Sequence, residues 1–508
     1  MGSIGPETHI LVAPEALAKH DGSPAFLSYD MPELFADNLT AKLIRTAAKH
    51  LRESGLNPVL TRQNPPTKYP HHVPQKGANA GNYEMKPIDF WTCGFFPGSL
   101  YALLERIKNH PLSMASTIKK GVSLMALRAC LETLARAWSD PIHSEARLTN
   151  THDLGFIMMP HMRRRWEMYH DQTALDTIIT AACSLYTRFD ARPAAIRSWD
   201  EMVWTKHEAS HVTGMEENFI VIIDSMCNLE LLYYAAAQSG QAHLARAATI
   251  HARTLLQSHL RLESKGHRLK GYSGALYSTH HMVVFDTQTG TIKQKRTCQG
   301  YSDSSTWSRG QAWAILGFAQ TYLWTGCAEF LDAACGLAQY FLHRMETSPP
   351  EVEVDLAVPE DTDLGGCKRA GRYVPVWDFD APLPDDGVPI RDTSAATCAA
   401  NGMLAIAEAF QRCGRYEVAA EYIEYGKLII GDTLALSLAA ETARVVFDEA
   451  GGLVGVDVVQ GQRFDGILKN ATVANNELGY QKLYDHGLVY ADYYLLEFGN
   501  RLLRMGLA

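Results

Sequence analysis

Asn218-Phe219-Ile220-Val221-Ile222-Ile223-Asp224-Ser225-Met226-Cys227-Asn228 opens with a polar residue and then five consecutive apolar ones. Read with its Leu-rich continuation, the stretch predicts a helix over residues 218–238. A helix that is apolar all round is buried. The next helix, over residues 241–260, with Gln241, His243, Arg246 and His251, is amphipathic, so it lines the outside of the same body. Gln238-Ser239-Gly240-Gln241 joins the two, with Gly240 suited to a left-handed helix cap.

Working outward, helical periodicity predicts further helices over residues 34–51, 99–106, 118–138, 173–189, 309–324, 328–345, 395–411, 416–436 and 490–504. Alternation of inner and outer helices predicts an all-α fold of two concentric rings, an α/α barrel. An open superhelical solenoid satisfies the same pattern. Two segments break the rhythm. Residues 280–297 read as a short β-hairpin, β-branched and aromatic on one arm with Asp286-Thr287-Gln288-Thr289-Gly290 as the turn. Residues 347–392 are rich in Pro, Gly and acids and read as a long loop. No linker divides the chain, so residues 1–508 read as a single domain.

Composition narrows the partners. The chain is 46% hydrophobic and 20% charged, with a formal net charge of −9 and no basic run of the kind that tracks phosphates. Nucleic acid is excluded on that ground. No apolar run approaches the length of a membrane span, and residues 1–7 lack the features of a secretory signal. Ten cysteines without a CxxC pair read as reduced thiols. The expected setting is cytoplasmic, with no membrane partner.

Three clusters carry chemistry. Asp224 follows the five apolar residues, and a carboxyl in such surroundings loses hydration and has its pKa raised, as a general acid requires. Asp153, in Thr149-Asn150-Thr151-His152-Asp153-Leu154-Gly155-Phe156, reads equally as a helix N-cap and as a carboxylate aimed into a barrel mouth, kept ionised by the positive helix end. One acid held neutral and one held charged is how two carboxyls divide roles in sugar chemistry. In Trp307-Ser308-Arg309-Gly310-Gln311-Ala312-Trp313, Arg309 and Trp313 are spaced i, i+4, as a fork donor beside a stacking plate or as a cation–π pair that only packs. No HExxH or spaced Cys/His set is present, so no metal is expected.

Together with Asp89-Phe90-Trp91-Thr92-Cys93-Gly94-Phe95-Phe96-Pro97-Gly98, Gln299-Gly300-Tyr301-Ser302-Asp303 and Trp377-Asp378-Phe379-Asp380-Ala381-Pro382, these segments resemble the unsaturated glucuronyl hydrolases of glycoside hydrolase family 88. The resemblance covers roughly residues 91–494. It implies an (α/α)6 barrel and release of a C4=C5 unsaturated uronic acid from the non-reducing end of lyase-generated oligosaccharides. The double bond is hydrated, with Asp224 as acid and base and Asp153 orienting the sugar. It further implies substrate contacts from Trp91, His281, Gln299, Arg309 and Trp313, and no metal or organic cofactor. Such an enzyme is expected to act as a monomer or homodimer. Residues 1–75 are longer than the family needs and are expected to form an N-terminal extension packed on the barrel. Residues 475–482 lack the Ser-x-x-Ser-x-Lys pattern linked to sulfated substrates. Competing readings are an unsaturated rhamnogalacturonyl hydrolase, a conventional inverting glycosidase and a non-catalytic sugar-binding protein.

Overall fold

The computed structural model describes residues 31–53, 65–114, 117, 121–263, 272–356, 368–449 and 453–508. Among these, twelve helices alternate between two layers. The outer set is α1 (Asp37–Glu53), α3 (Leu124–Ser139), α5 (Gln172–Tyr186), α7 (Ala242–Ser258), α9 (Ala328–Glu346) and α11 (Tyr416–Ser437). The inner set is α2 (Phe95–Asn109), α4, α6 (Leu229–Ser239), α8 (Ser308–Thr325), α10 (Thr393–Arg412) and α12 (Val489–Arg504). Helix α4 is built of three consecutive pieces, Leu154–Met158, the π-turn Met159–Arg163 and Arg164–Tyr169. Each inner helix packs on the next, and α12 returns to α2. That last contact closes the ring. The architecture is an (α/α)6 barrel, not an open solenoid.

Burial follows the same division. Helix α8 is buried on nearly every residue from Ser308 to Ala319, and α10 from Thr393 to Ala407. Outer α7 buries one face only, through Leu244, Ala247, Ala248, His251, Ala252 and Leu255. The predicted outer helices at 241–260, 328–345 and 416–436 match α7, α9 and α11 closely. Gly240 caps α6 at φ 74°, in the left-handed region.

The helix predicted over 218–238 is corrected. Asn218–Ile222 is a strand, β3; a 3-10 turn, Ile223–Asn228, follows, and only then α6 begins. With β1 (Lys68–Pro74) and β2 (Glu84–Pro87) earlier in the chain, β3 pairs antiparallel with β4 (Met282–Asp286), and β4 with β5 (Ile292–Arg296). The pair β4–β5 is the hairpin expected over 280–297. A short apolar run is ambiguous by periodicity, and here its β-branched Ile and Val side chains pack in a sheet. Ile220, Ile222, Met282, Val284, Met202, Val212 and Cys298 form a buried cluster on one face. A second sheet sets β1 between β2 and β6 (His486–Leu488).

The start of α4 was read from Asp153 as its cap position, but its extent was not, because Pro160 interrupts the pattern; the helix passes that residue in a single π-turn. Of the segment 1–75 expected as an extension, residues 37–53 supply the outer helix α1 and 68–74 supply β1, while 1–30 lie outside the described residues. The long-loop reading of 347–392 holds for its described part, which carries one short strand pair, Val354–Leu356 with Lys368–Ala370. No helix among the described residues is long and apolar enough to cross a membrane.

Close approach of inner elements depends on glycine. A Cβ at Gly317 of α8 would stand 2.4 Å from the Cβ of Met226 and 2.8 Å from its carbonyl carbon, in the 3-10 turn. Backbone cannot give way as a flexible side chain does, so Gly317→Ala is expected to destabilise the barrel by about 1–3 kcal/mol. A lowered urea midpoint with an unchanged slope checks this.

Candidate active site

The amino-terminal ends of the inner helices meet at one mouth of the barrel. Asp153 precedes α4, Asp224 lies in the turn before α6, and Arg309 stands in the first turn of α8. Asp392 caps α10 and Tyr490 stands in the first turn of α12. Helix amino termini leave unpaired N–H groups and a partial positive charge, so this end favours an anionic ligand.

Strand pairing sets Asp224. The Ile223 amide donates to the His281 carbonyl at 2.9 Å, continuing the β3–β4 ladder by one step and turning the next residue inward. Asp224 is 8% exposed, and its Oδ1 is buried without a hydrogen-bond partner. Burial pushes the carboxyl up to about 7; Arg309 pulls it down and Asp153 pushes it further up. Loss of hydration thus outweighs the neighbouring cation.

Asp153 is drawn in by Asn228. Asn228 Oδ1 accepts the Phe156 amide at 2.9 Å, and its Nδ2 donates to the Asp224 carbonyl at 3.4 Å. One side chain therefore ties the Asp224 turn to the first turn of α4. Gly155 permits this approach, since a Cβ there would meet the Asn228 Cα at 2.7 Å. Thr151 Oγ1 donates to Asp153 Oδ2 at 2.8 Å. The expected cause of the Asp153 charge is corrected: its side chain makes no cap hydrogen bond, and burial pushes it up to about 6 against the pull of Thr151 and Arg188, which still leaves it largely ionised at neutral pH. Both carboxyls therefore titrate near neutrality, Asp224 above Asp153.

Arg309 is 1% exposed. Its Nη1 pairs with Asp392 Oδ2 at 2.5 Å and also donates to the Thr472 carbonyl, and Nη2 donates to the Val473 carbonyl at 2.6 Å. The expected partnership with Trp313 is corrected. The guanidinium lies 4.5 Å from the ring of Trp307 and 5.6 Å from that of Tyr490. Trp313 is 0% exposed and packs on Phe156 at 4.9 Å, below the site, so no ligand reaches its face in this conformation. Trp91 is half-buried against Phe156 and Tyr490, at the mouth. His281 is buried, bonded through Nδ1 to Thr297 Oγ1 at 3.1 Å, and its Nε2 is unpartnered. Burial, then Arg309, lowers its pKa to about 3, so it is a neutral imidazole. Gln299 is half-buried and shares the Val473 carbonyl with Arg309.

Trp199, Trp307, Asp392 and Tyr490 belong to this constellation and were not singled out from sequence. Asp392 had a readable signal, an Asp-Thr-Ser cap before an Ala-rich helix, and its Oδ1 accepts the Ser394 amide at 3.0 Å. The tryptophans and Tyr490 had none, because aromatic residues are equally at home in a core.

The opposite mouth holds a cavity of about 780 Å³, lined by Arg163, Arg164, Arg504, Glu105, Glu230 and Glu497 among others. Its charges satisfy one another: Arg164 bridges Glu105 and Glu497, Arg163 meets Glu230, and Arg504 meets Glu105. It offers no strained or unpaired acid. Among the described residues no group of His, Cys, Asp and Glu is placed to hold a metal ion.

The chain is 30% identical over 321 residues to an unsaturated glucuronyl hydrolase of Formosa agariphila, an alignment spanning 63% of each chain. It is 28% identical over 341 residues to an unsaturated glucuronyl hydrolase of a Bacillus species, spanning 67% of this chain and 73% of that one. The crystal structure of an unsaturated glucuronyl hydrolase specific for heparin superposes with a TM-score of 0.63 at 25% identity, covering 93% of this chain and 99% of that one. The chain is homologous to the unsaturated glucuronyl hydrolases. No family profile matches it. The match to the Formosa enzyme covers a little under two-thirds of that protein's length, whereas the structural match to the heparin-specific hydrolase runs almost end to end.

Removing the Arg309 side chain strands the buried Asp392 carboxylate. Arg309→Met is expected to cost about 3–5 kcal/mol of stability. Arg309→Lys keeps the charge but loses the fork, and its loss should fall between; denaturant unfolding of both variants tests the order.

Proposed function

We propose that the chain is a glycoside hydrolase that releases a C4=C5 unsaturated uronic acid from the non-reducing end of lyase-generated oligosaccharides by hydrating the double bond. The observation that carries this reading is Asp224, a buried carboxyl with one oxygen unpartnered and a pKa pushed up to about 7. An acid that keeps its proton at neutral pH and aims it into a mouth rimmed by helix amino termini suits an electron-rich carbon on an anionic sugar.

The vinyl ether is electron-rich at C4. Asp224 gives its proton to C4, leaving an oxocarbenium-like cation at C5. The resulting Asp224 carboxylate stabilises that charge and takes a proton from the water that adds at C5. The hemiketal so formed opens and expels the remaining saccharide. Asp153 orients the sugar and tunes Asp224. Trp91 and the neutral His281 contact the ring, with Gln299 at the rim. Arg309, enclosed by Asp392 and two carbonyls, acts on Asp224 through its field. The anomeric carbon is not attacked, so the carboxyl separation of ordinary glycosidases sets no rule here. Nine described cysteines are free thiols, which supports a reducing, cytoplasmic setting. The reaction is proposed to need no metal.

Reaction in deuterated water decides between this chemistry and conventional glycosidase action. Hydration must place one solvent deuteron on C4 of the released sugar, seen by mass spectrometry and NMR. A product unlabelled at C4 refutes the proposal. Asp224→Asn is expected to lower kcat by at least a thousandfold while the fold persists, as read by loss of the conjugated double-bond absorbance.

The pH profile has a defined sign. The active form of Asp224 is protonated, so activity should fall as pH rises through about 7. The Asp153 charge pushes the Asp224 pKa up, so Asp153→Asn should move the alkaline limb to lower pH while also reducing kcat/KM. An alkaline limb unmoved by this change would show that the two carboxyls do not communicate.

A further inference from the structure

Five groups run in contact from the floor of the site to the surface. Arg309 lies over Trp307 at 4.5 Å, and Trp307 meets His281 at 4.7 Å between ring centres. His281 meets Trp199 edge-on at 6.1 Å, and Trp199 meets Trp204 edge-on at 5.1 Å. The last of these, Trp204, is 44% exposed. An indole left in water forfeits burial that a Trp ordinarily gains, so its setting bears explanation.

That setting is stiff. Backbone bridges hold the chain on both sides of Trp204, Met202 with Val212 and Thr205 with Gly479. The Lys206 amide donates to the Leu478 carbonyl at 2.7 Å. Met202 and Val212 belong to the buried cluster beneath the β3–β4–β5 sheet, against which Trp199 also packs. Around Trp204, Glu201, Lys206, His207 and Glu208 are exposed. The surround is mixed: Val203 beside it and Leu478 and Tyr480 on the bridged segment are exposed as well, so the fixed ring sits among apolar faces within a polar rim, continuous with the site. A sugar matches it, with C–H groups for the ring and hydroxyls for the polar rim. A plate held in place before binding loses little entropy when the ligand arrives.

We propose that Trp204 is a stacking plate for the leaving saccharide beyond the sugar bonded to the unsaturated residue, and so sets a preference for longer oligosaccharides. The inference rests on the hydrolase reading above. A substrate anchored with its unsaturated ring over Asp224 leaves along His281 and Trp199, and reaches Trp204 only with a further sugar. The segment carrying the 205–479 bridge forms the facing wall, tied inward by Asn476 Nδ2 to the Gly300 carbonyl at 2.6 Å.

The test compares an unsaturated disaccharide and an unsaturated tetrasaccharide of the same repeat as substrates. Wild type should show a higher kcat/KM for the tetrasaccharide. In Trp204→Ala the tetrasaccharide-to-disaccharide ratio should fall roughly tenfold, the scale of one lost ring contact, with the loss in KM and not in kcat. Trp204→Phe should recover most of the ratio, which a folding defect would not do. A wild-type ratio near one, or an unchanged ratio in Trp204→Ala, overturns the inference and leaves the hydrolase reading standing. Absence of turnover by wild type on both substrates overturns the hydrolase reading, and this inference with it.

Discussion

The buried pair of Arg309 and Asp392 is the constraint on which the rest of the mouth depends. A guanidinium 1% exposed and a carboxylate 0% exposed are tolerable because each ion also hydrogen-bonds to its surroundings. Asp392 takes the Ser394 amide and hydroxyl, and Arg309 takes two carbonyls from 472–473. The pair therefore fixes the starts of α8 and α10 and the chain entering the facing wall in one arrangement. It also sets the electrostatics of Asp224. The Arg309 charge is largely answered by Asp392, so it tempers the Asp224 carboxyl without overcoming its loss of hydration. An unanswered cation would hold that carboxyl ionised.

The two ends of the barrel solve opposite problems. At one, carboxyls are kept short of partners and helix amino termini point inward, which raises reactivity at a cost in stability. At the other, Arg and Glu side chains are paired to completion. Arg164 alone engages Glu105, Glu497 and the Tyr493 hydroxyl. Placing the satisfied network on the helix carboxyl ends and the unsatisfied acids on the amino ends keeps strain local to the chemistry.

The fold was largely legible because buried and amphipathic helices alternate along the chain, and helices such as α9 and α11 carried apolar periods bounded by the turns at Gly326 and Gly414. Failures came where tertiary context overrode local pattern. Residues 219–222 looked like an all-apolar helix because a strand buried in a sheet leaves the same trace over so short a run. Pro160 hid the extent of α4. Asp224 was visible because a lone carboxylate after five apolar residues is costly unless it has work to do. Asp153 was visible only with its neighbours, and the upward push on its pKa was not, because burial cannot be seen from a cap. Trp307 and Tyr490 were hidden because their sites on the helices fit a core as well as a mouth.

The aromatic layer of Phe156, Trp313, Tyr490 and Tyr494 crosses the barrel's interior, with Phe156 3% and Trp313 0% exposed. It separates the acid-bearing mouth from the cavity at the far end. The two ends are therefore not joined by a tunnel through this layer, and on the proposed hydrolase reading a chain end enters, and its product leaves, by the same mouth.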